Sequence, residues 1–148
     1  MLQESELGRS GRAVILRLSG IYGPGRVLTR VESLRSGTPL AGSPAAWLNL
    51  IHVDDAAAAV MAVADCTAPE SLYLVSDDCP VTRGEYYSEL ARLTDSPPPV
   101  FDPFQSPRHG QGLNKRCSSR RIKSALNLSW QYPSHVPGLT ASLDGDGN

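Results

Sequence analysis

The segment that most constrains the fold is a short apolar run, Ala13-Val14-Ile15-Leu16-Arg17-Leu18, that leads straight into Ser19-Gly20-Ile21-Tyr22-Gly23-Pro24-Gly25-Arg26. A near-continuous apolar run with few charges suits a strand covered on both faces, as in a parallel sheet. Its end is equally definite, because three glycines and a proline in this octapeptide force a loop. Parallel strands need long crossovers, usually helical, and the rest of the chain can supply them. Residues 27–36 place Val27, Leu28, Val31 and Leu34 at helical spacing, and Gly37 and Pro39 end the pattern.

The alternation then repeats. Residues 47–53 read as a short strand, and Asp54-Asp55 stands before the alanine run of a helix over residues 55–65. An Asp there would cap free N–H groups at the positive end of the helix dipole, and the alanines would let the helix approach a sheet closely. Residues 71–75 form the next strand. Thr82-Arg83-Gly84-Glu85 has the spacing of a capping box, with Val81 and Tyr86 placed as a hydrophobic staple. The helix that follows reaches about Thr94 and turns Tyr86, Leu90 and Leu93 inward. Residues 96–112, rich in Pro and Gly, read as a surface loop. Ser118 or Ser119 can cap a short helix ending at Leu126. Tyr132-Pro133 and Pro137-Gly138 read as turns, and residues 144–148 as a frayed tail. Strand, helix, strand, helix, strand, helix is an α/β or α+β order.

Composition narrows the function classes. At 148 residues with a formal net charge of −1, the chain is the size of one domain and has no overall pull toward nucleic acid or an anionic membrane. The longest apolar stretch, residues 56–64, is too short to span a bilayer. Cys66, Cys79 and Cys117 are an odd set without a CxxC pair, which fits a reducing, cytoplasmic setting. With three scattered His and no paired Cys, no metal site is expected.

Three segments, in this order and spacing, carry a family likeness: Val14-Ile15-Leu16-Arg17-Leu18-Ser19-Gly20-Ile21-Tyr22-Gly23-Pro24-Gly25-Arg26, then Asn49-Leu50-Ile51-His52-Val53-Asp54-Asp55-Ala56-Ala57, then Leu72-Tyr73-Leu74-Val75 with the helix after it. Together they resemble the extended short-chain dehydrogenase/reductases, in particular the NAD-dependent epimerase/dehydratase branch. The resemblance implies an α/β chain, the C-terminal part of a Rossmann-like enzyme with its small substrate-binding subdomain, over residues 1–143. It implies NAD or NADP as cofactor and a nucleotide-sugar-like or other small substrate. By position, Leu18, Ser19, Gly20 and Ile21 would line the nicotinamide side, and Tyr22, Arg26, Asn49 and His52 the substrate side.

The same resemblance exposes what the chain lacks. Such enzymes hold the pyrophosphate on a glycine-rich loop at a helix N-terminus, and residues 1–12 leave no room for that βαβ unit. Their chemistry uses a Tyr acidified by a Lys four residues on. Here Tyr22, Tyr73, Tyr86, Tyr87 and Tyr132 are followed at that position by Arg26, Asp77, Leu90, Ala91 and Val136, so no catalytic residue is assigned. Residues 1–6 would match the end of the helix that carries the pair. Gly20 to Gly25 imitates a phosphate loop, but Pro24 removes an amide from it; Tyr22 with Arg26 imitates Tyr-xxx-Lys, but Gly-Pro-Gly between them is no helical turn.

Blander readings stand beside these. His52 can be a structural histidine bonded near Asp54 or Asp55, and Trp47 can cap a pocket or cover a sheet edge. Lys115, Arg116, Arg120, Arg121 and Lys123 form a dense basic cluster that reads first as a solvated face, then as a site for an anionic ligand or RNA. Two broader alternatives follow: an enzyme fragment inactive alone, or a non-catalytic binding and interaction module on the same scaffold. A strand that belongs inside a larger sheet would also leave an edge near residues 14–18, inviting homo-oligomers.

Overall fold

The computed structural model describes residues 13–105 and 114–146. The expected first strand forms and then changes partner. Strand β1 (Ile15–Leu18) runs parallel to β6 (Leu72–Val75), whereas β2 (Gly20–Tyr22) runs parallel to β5 (Leu50–His52). Ser19 is the pivot: its N–H donates to the Val75 carbonyl at 2.9 Å, and the next N–H, from Gly20, donates to the Asn49 carbonyl at 2.9 Å.

The strand expected over residues 47–53 is likewise two short ones. Strand β4 (Trp47–Leu48) pairs antiparallel with β7 (Val81–Thr82), Asn49 turns the chain, and β5 follows. A further parallel ladder, β3 (Leu40–Ala41) with β8 (Phe101–Asp102), places a strand inside the segment read as a loop; residues 106–112 of that loop lie outside the described residues. Two-residue ladders carry no periodicity, so partners elsewhere in the fold decide them.

Five helices are described: α1 (Leu28–Arg35), α2 (Val53–Asp65), α3 (Arg83–Leu93), α4 (Arg120–Leu126) and α5 (His135–Asp146). The capping box at α3 forms as expected, with the Glu85 N–H donating to Thr82 Oγ1 at 3.2 Å and the Thr82 N–H to Glu85 Oε2 at 2.9 Å. Val81 and Tyr86 are both buried in the same core, as a staple requires. The expected inner face of α3 is close: Tyr86, Tyr87, Leu90 and Ala91 are buried and Leu93 partly so.

Three helix starts differ from the sequence reading. The cap of α2 is His52, whose Nδ1 accepts the Asp54 N–H at 3.3 Å, so neither aspartate is the N-cap. Ser119 sits at the N-cap of α4 without capping it, because its hydroxyl donates to the Ser76 carbonyl and accepts the Ser76 N–H, both at 2.5 Å. Helix α5 runs straight through Pro137 and Gly138, the pair read as a turn, and into the segment read as a tail. Pro137 is the third helical residue, where its missing N–H would have had no intrahelical acceptor anyway.

Two cores result. One gathers α1, α3 and α5 around Tyr22, Val31, Leu50, Tyr86, Leu90 and Leu139. The other packs α2 and α4 on the β1–β6 ladder around Ile51, Ala59, Tyr73, Val75, Ile122 and Trp130. Neighbouring residues of β5 thus serve different cores, Leu50 the first and Ile51 the second. As expected, alanines make the α2 contact: Ala56 and Ala59 are buried.

The expectation of a strand covered on both faces is not met by β1. Directly paired residues in a ladder point the same way, so Tyr73 and Val75 turn into the core while Leu72 and Leu74 point out with Arg17. Leu72 is 39% exposed and Leu74 37%. Ser118 and Arg121 stand beside this face, and among the described residues β6 is the only ladder partner of β1. No described helix is long and apolar enough to cross a membrane.

Candidate functional site

The strand switch at Ser19 fixes the geometry of the loop. Leu18 ends β1 and is 37% exposed, while Gly20 and Ile21 open β2. The amides of Ser19 and Gly20 are spent on Val75 and Asn49, so this segment can offer a ligand side chains and carbonyls, not a nest of N–H groups. Gly20 is itself exposed, and a Cβ there would stand 3.2 Å from the Asn49 carbonyl oxygen.

Gly23 has φ +152°, and a Cβ there would come within 2.6 Å of Val53 Cγ1, so the loop needs glycine for space as well as conformation. Arg26, just beyond, is exposed and can face solvent or a ligand. The four residues expected on the substrate side therefore separate. Arg26 is open, Asn49 is half-buried, and Tyr22 and His52 are each 1% exposed.

Tyr22 and His52 meet in an aromatic nest. Their rings pack edge to face at 5.3 Å, and Tyr132 lies against the other side of His52 at 4.0 Å. His52 Nδ1 accepts the Asp54 amide and lies 3.5 Å from its carboxylate, which leaves the ring proton on Nε2, 3.4 Å from Ser142 Oγ. Burial lowers the His52 pKa against the pull of Asp54 and Asp55. His52 is thus the hydrogen-bonded structural histidine of the bland reading, and it locks α5 to β5.

Tyr22 donates its hydroxyl to the Ser134 carbonyl at 3.3 Å. Burial pushes its pKa up, and Asp77 adds to the shift. A catalytic tyrosine needs the opposite shift, and no guanidinium counts among the groups acting on it, so Arg26 does not acidify Tyr22.

Asn49 is a clamp. Its Nδ2 donates to the Lys115 carbonyl at 2.9 Å and its Oδ1 accepts the Cys117 N–H at 2.6 Å. The Trp47 N–H adds a bond to Asn114 Oδ1 at 2.7 Å. Residues 114–117 are thereby held across β4 and β5, and Arg116 lies over the Trp47 ring at 5.0 Å, so Trp47 covers this edge.

Two aspartates matter in ways their sequence context does not announce. Asp55 accepts the Gln131 N–H at 2.7 Å and the Tyr132 N–H at 2.9 Å, tying a segment 76 residues away to the start of α2. Asp77, 1% exposed at the end of β6, has no hydrogen-bond partner on either carboxylate oxygen. Burial raises its pKa to about 7, although the nearby Cys79 amide, short of hydrogen-bond geometry, favours the charged form. A carboxylic acid side chain directly after a strand gives no sign of this in the sequence.

The basic cluster does not form one free face. Arg116 is on Trp47, Arg121 is paired with Glu70, and Lys123 bonds both Asp78 oxygens at 2.8 and 2.6 Å. Among the described residues no group of three or more His, Cys, Asp or Glu side chains could hold a metal.

Comparison with known proteins bears on this architecture. No family model matches the chain. A Streptomyces 3-diazoavenalumate denitrifying reductase is 29% identical over 139 residues, covering 85% of this chain and 45% of its own length. A Methylobacillus flagellatus structure assigned to the NAD-dependent epimerase/dehydratases is 29% identical with a TM-score of 0.69, covering 97% of this chain and 51% of that one. The UDP-glucose 4-epimerase of Thermotoga maritima, solved with UDP-glucose, shares the fold at 21% identity and a TM-score of 0.71, covering 89% of this chain and 45% of that one. Other structures with this fold hold NAD, NADH or NADPH. The chain spans less than half the length of the curated relatives it matches.

The fold is the mixed α/β, Rossmann-like architecture that these extended short-chain dehydrogenase/reductase and NAD-dependent epimerase/dehydratase structures share, and the chain spans about half of each.

Proposed function

We propose that this chain is the C-terminal, substrate-side part of an NAD(P)-dependent epimerase/dehydratase or reductase acting on a nucleotide-sugar-like or other small substrate, and that it is inactive alone. One observation carries the reading. The segment from Leu18 to Arg26 begins at the carboxyl end of β1 and passes through β2 into an exposed turn at the carboxyl end of β2, both strands being parallel to their partners, and open α/β sheets bind ligands outside those ends. In this reading Leu18, Ser19, Gly20 and Ile21 flank the nicotinamide, and exposed Arg26 meets the substrate's anionic group, for which a bidentate guanidinium is suited. Asn49 supports the site by holding residues 115–117 in place. Tyr22 and His52, though at matching positions, act from below the surface by fixing the loop's base.

In this reading the pyrophosphate-binding loop and the proton-transferring pair are supplied by an N-terminal part or by another chain. Titrating NAD(H) and NADP(H) into the 148-residue chain should therefore give dissociation constants no tighter than about 1 mM. A micromolar constant would contradict the placement of the phosphate site outside this chain.

A non-catalytic interaction module is the second reading, and the part-exposed leucines of β6, Leu72 at 39% and Leu74 at 37%, favour it. An unpaired strand edge beside exposed leucines is a template for association. Self-association through residues 14–18 should raise the mass seen by light scattering as concentration increases. A monomer throughout that range would remove this reading.

A further inference from the structure

We propose a second ligand site on this chain: the pocket between the end of β6 and α4 binds a small oxyanion, a phosphate or carboxylate group, through Arg120. The pocket has a volume of about 430 Å³ and opens to solvent, with Asp77, Asp78, Ser118, Arg120, Lys123 and Ser124 among its walls. That volume lies within the range of small-molecule sites.

Charge commitment singles out Arg120. Of the two basic residues among the pocket walls, Lys123 is bonded to Asp78, whereas the Arg120 guanidinium makes no ion pair with a described residue. Around it stand donors and two carboxylates, Asp78 bonded to Lys123 and Asp77 only 1% exposed. Ser118 Oγ accepts the Arg120 N–H at 3.4 Å, which leaves its own O–H to give. Ser124 contributes a hydroxyl, and Lys123 an ammonium whose charge Asp78 now offsets. A planar guanidinium with hydroxyls and a partly neutralised ammonium suits an oxyanion. A polyanion would need a continuous basic face with stacking surfaces, and the cluster offers neither. The site is distinct from the Leu18–Arg26 loop and does not depend on the function proposed for it.

Asp78 makes the proposal testable by sign. Asp78→Asn frees the Lys123 ammonium and removes a repelling carboxylate, so it should tighten anion binding, whereas Arg120→Gln should weaken it. The probes are inorganic phosphate and acetate, titrated at constant ionic strength against chloride, with amide NMR shifts of residues 117–124 as readout. Saturable shifts are expected with at least one probe; which one saturates separates a phosphate from a carboxylate preference. Arg120→Gln should raise the dissociation constant roughly tenfold while the dispersed spectrum is retained, and Asp78→Asn should lower it several-fold. Shifts that do not saturate, an equal response to chloride, binding of RNA without phosphate or acetate, or weaker binding by Asp78→Asn would each overturn the proposal.

Discussion

Gly138→Ala should destabilise the protein by about 3 kcal/mol, the upper end of what an overpacked core methyl costs. A Cβ at residue 138 would lie 2.7 Å from Tyr22 Cζ and 2.8 Å from Cε2, and closer still to the hydroxyl. Tyr22 cannot step aside, because it is 1% exposed, held edge-on by His52 and hydrogen-bonded to the Ser134 carbonyl. The Gly138 backbone cannot shift freely either, since its carbonyl accepts Ser142 Oγ at 2.6 Å within α5. The strain must fall on the junction of α5 with β2 and β5. For a chain of this size the melting temperature should drop by roughly 10 °C. Tyr22→Phe removes the nearest atom, so the double variant should recover part of the loss even though Tyr22→Phe alone forfeits a hydrogen bond worth about 1 kcal/mol. Calorimetry or chemical denaturation of the four proteins forms the cycle. If Gly138→Ala lies within about 0.5 kcal/mol of the parent, the close approach of Tyr22 and Gly138 is wrong.

The Gly138 contact also shows where local sequence stops being informative. Pro137-Gly138 has turn chemistry, and only the arrival of Tyr22, more than a hundred residues earlier, makes glycine necessary inside a helix. What could be read locally was read: the capping box of Thr82 and Glu85, the helical spacing of Val31 and Leu34, the glycine loop after β1. Features set by distant partners were not. His52 takes the cap that Asp54 and Asp55 seemed to own, because Asp55 is drawn to the amides of Gln131 and Tyr132. Ser119 abandons its helix for Ser76. In the candidate site, the turn at Gly23, Pro24 and Gly25 was legible because glycine and proline mark a loop whatever surrounds it, whereas Gly20–Tyr22, read as part of that loop, forms β2. The burial of Tyr22 and His52 was not, since it depends on Tyr132 and α5 closing over them.

Asp77 gives the second large effect, and its direction is opposite to that of an ordinary carboxylate. Its pKa rises from 3.8 to about 7 in the folded chain, first because burial penalises the charge. Between these two values the folded state keeps a proton that the unfolded state has lost. Stability must therefore fall as pH rises from about 4 to about 7 and level off above that. The full cost of ionising Asp77 in place is about 4 kcal/mol, with about 1.4 kcal/mol for each tenfold change in proton affinity. Asp77→Asn keeps the shape and abolishes the ionisation, although its amide N–H groups also go unpaired. The variant should gain about 2 kcal/mol at pH 8, or roughly 6 °C in melting temperature, and almost nothing at pH 5. Asp55 provides the contrast, because its carboxylate accepts two backbone N–H bonds and its loss should destabilise at both pH values. Equal melting temperatures for Asp77→Asn and the parent at pH 8 would mean that Asp77 finds a partner when ionised.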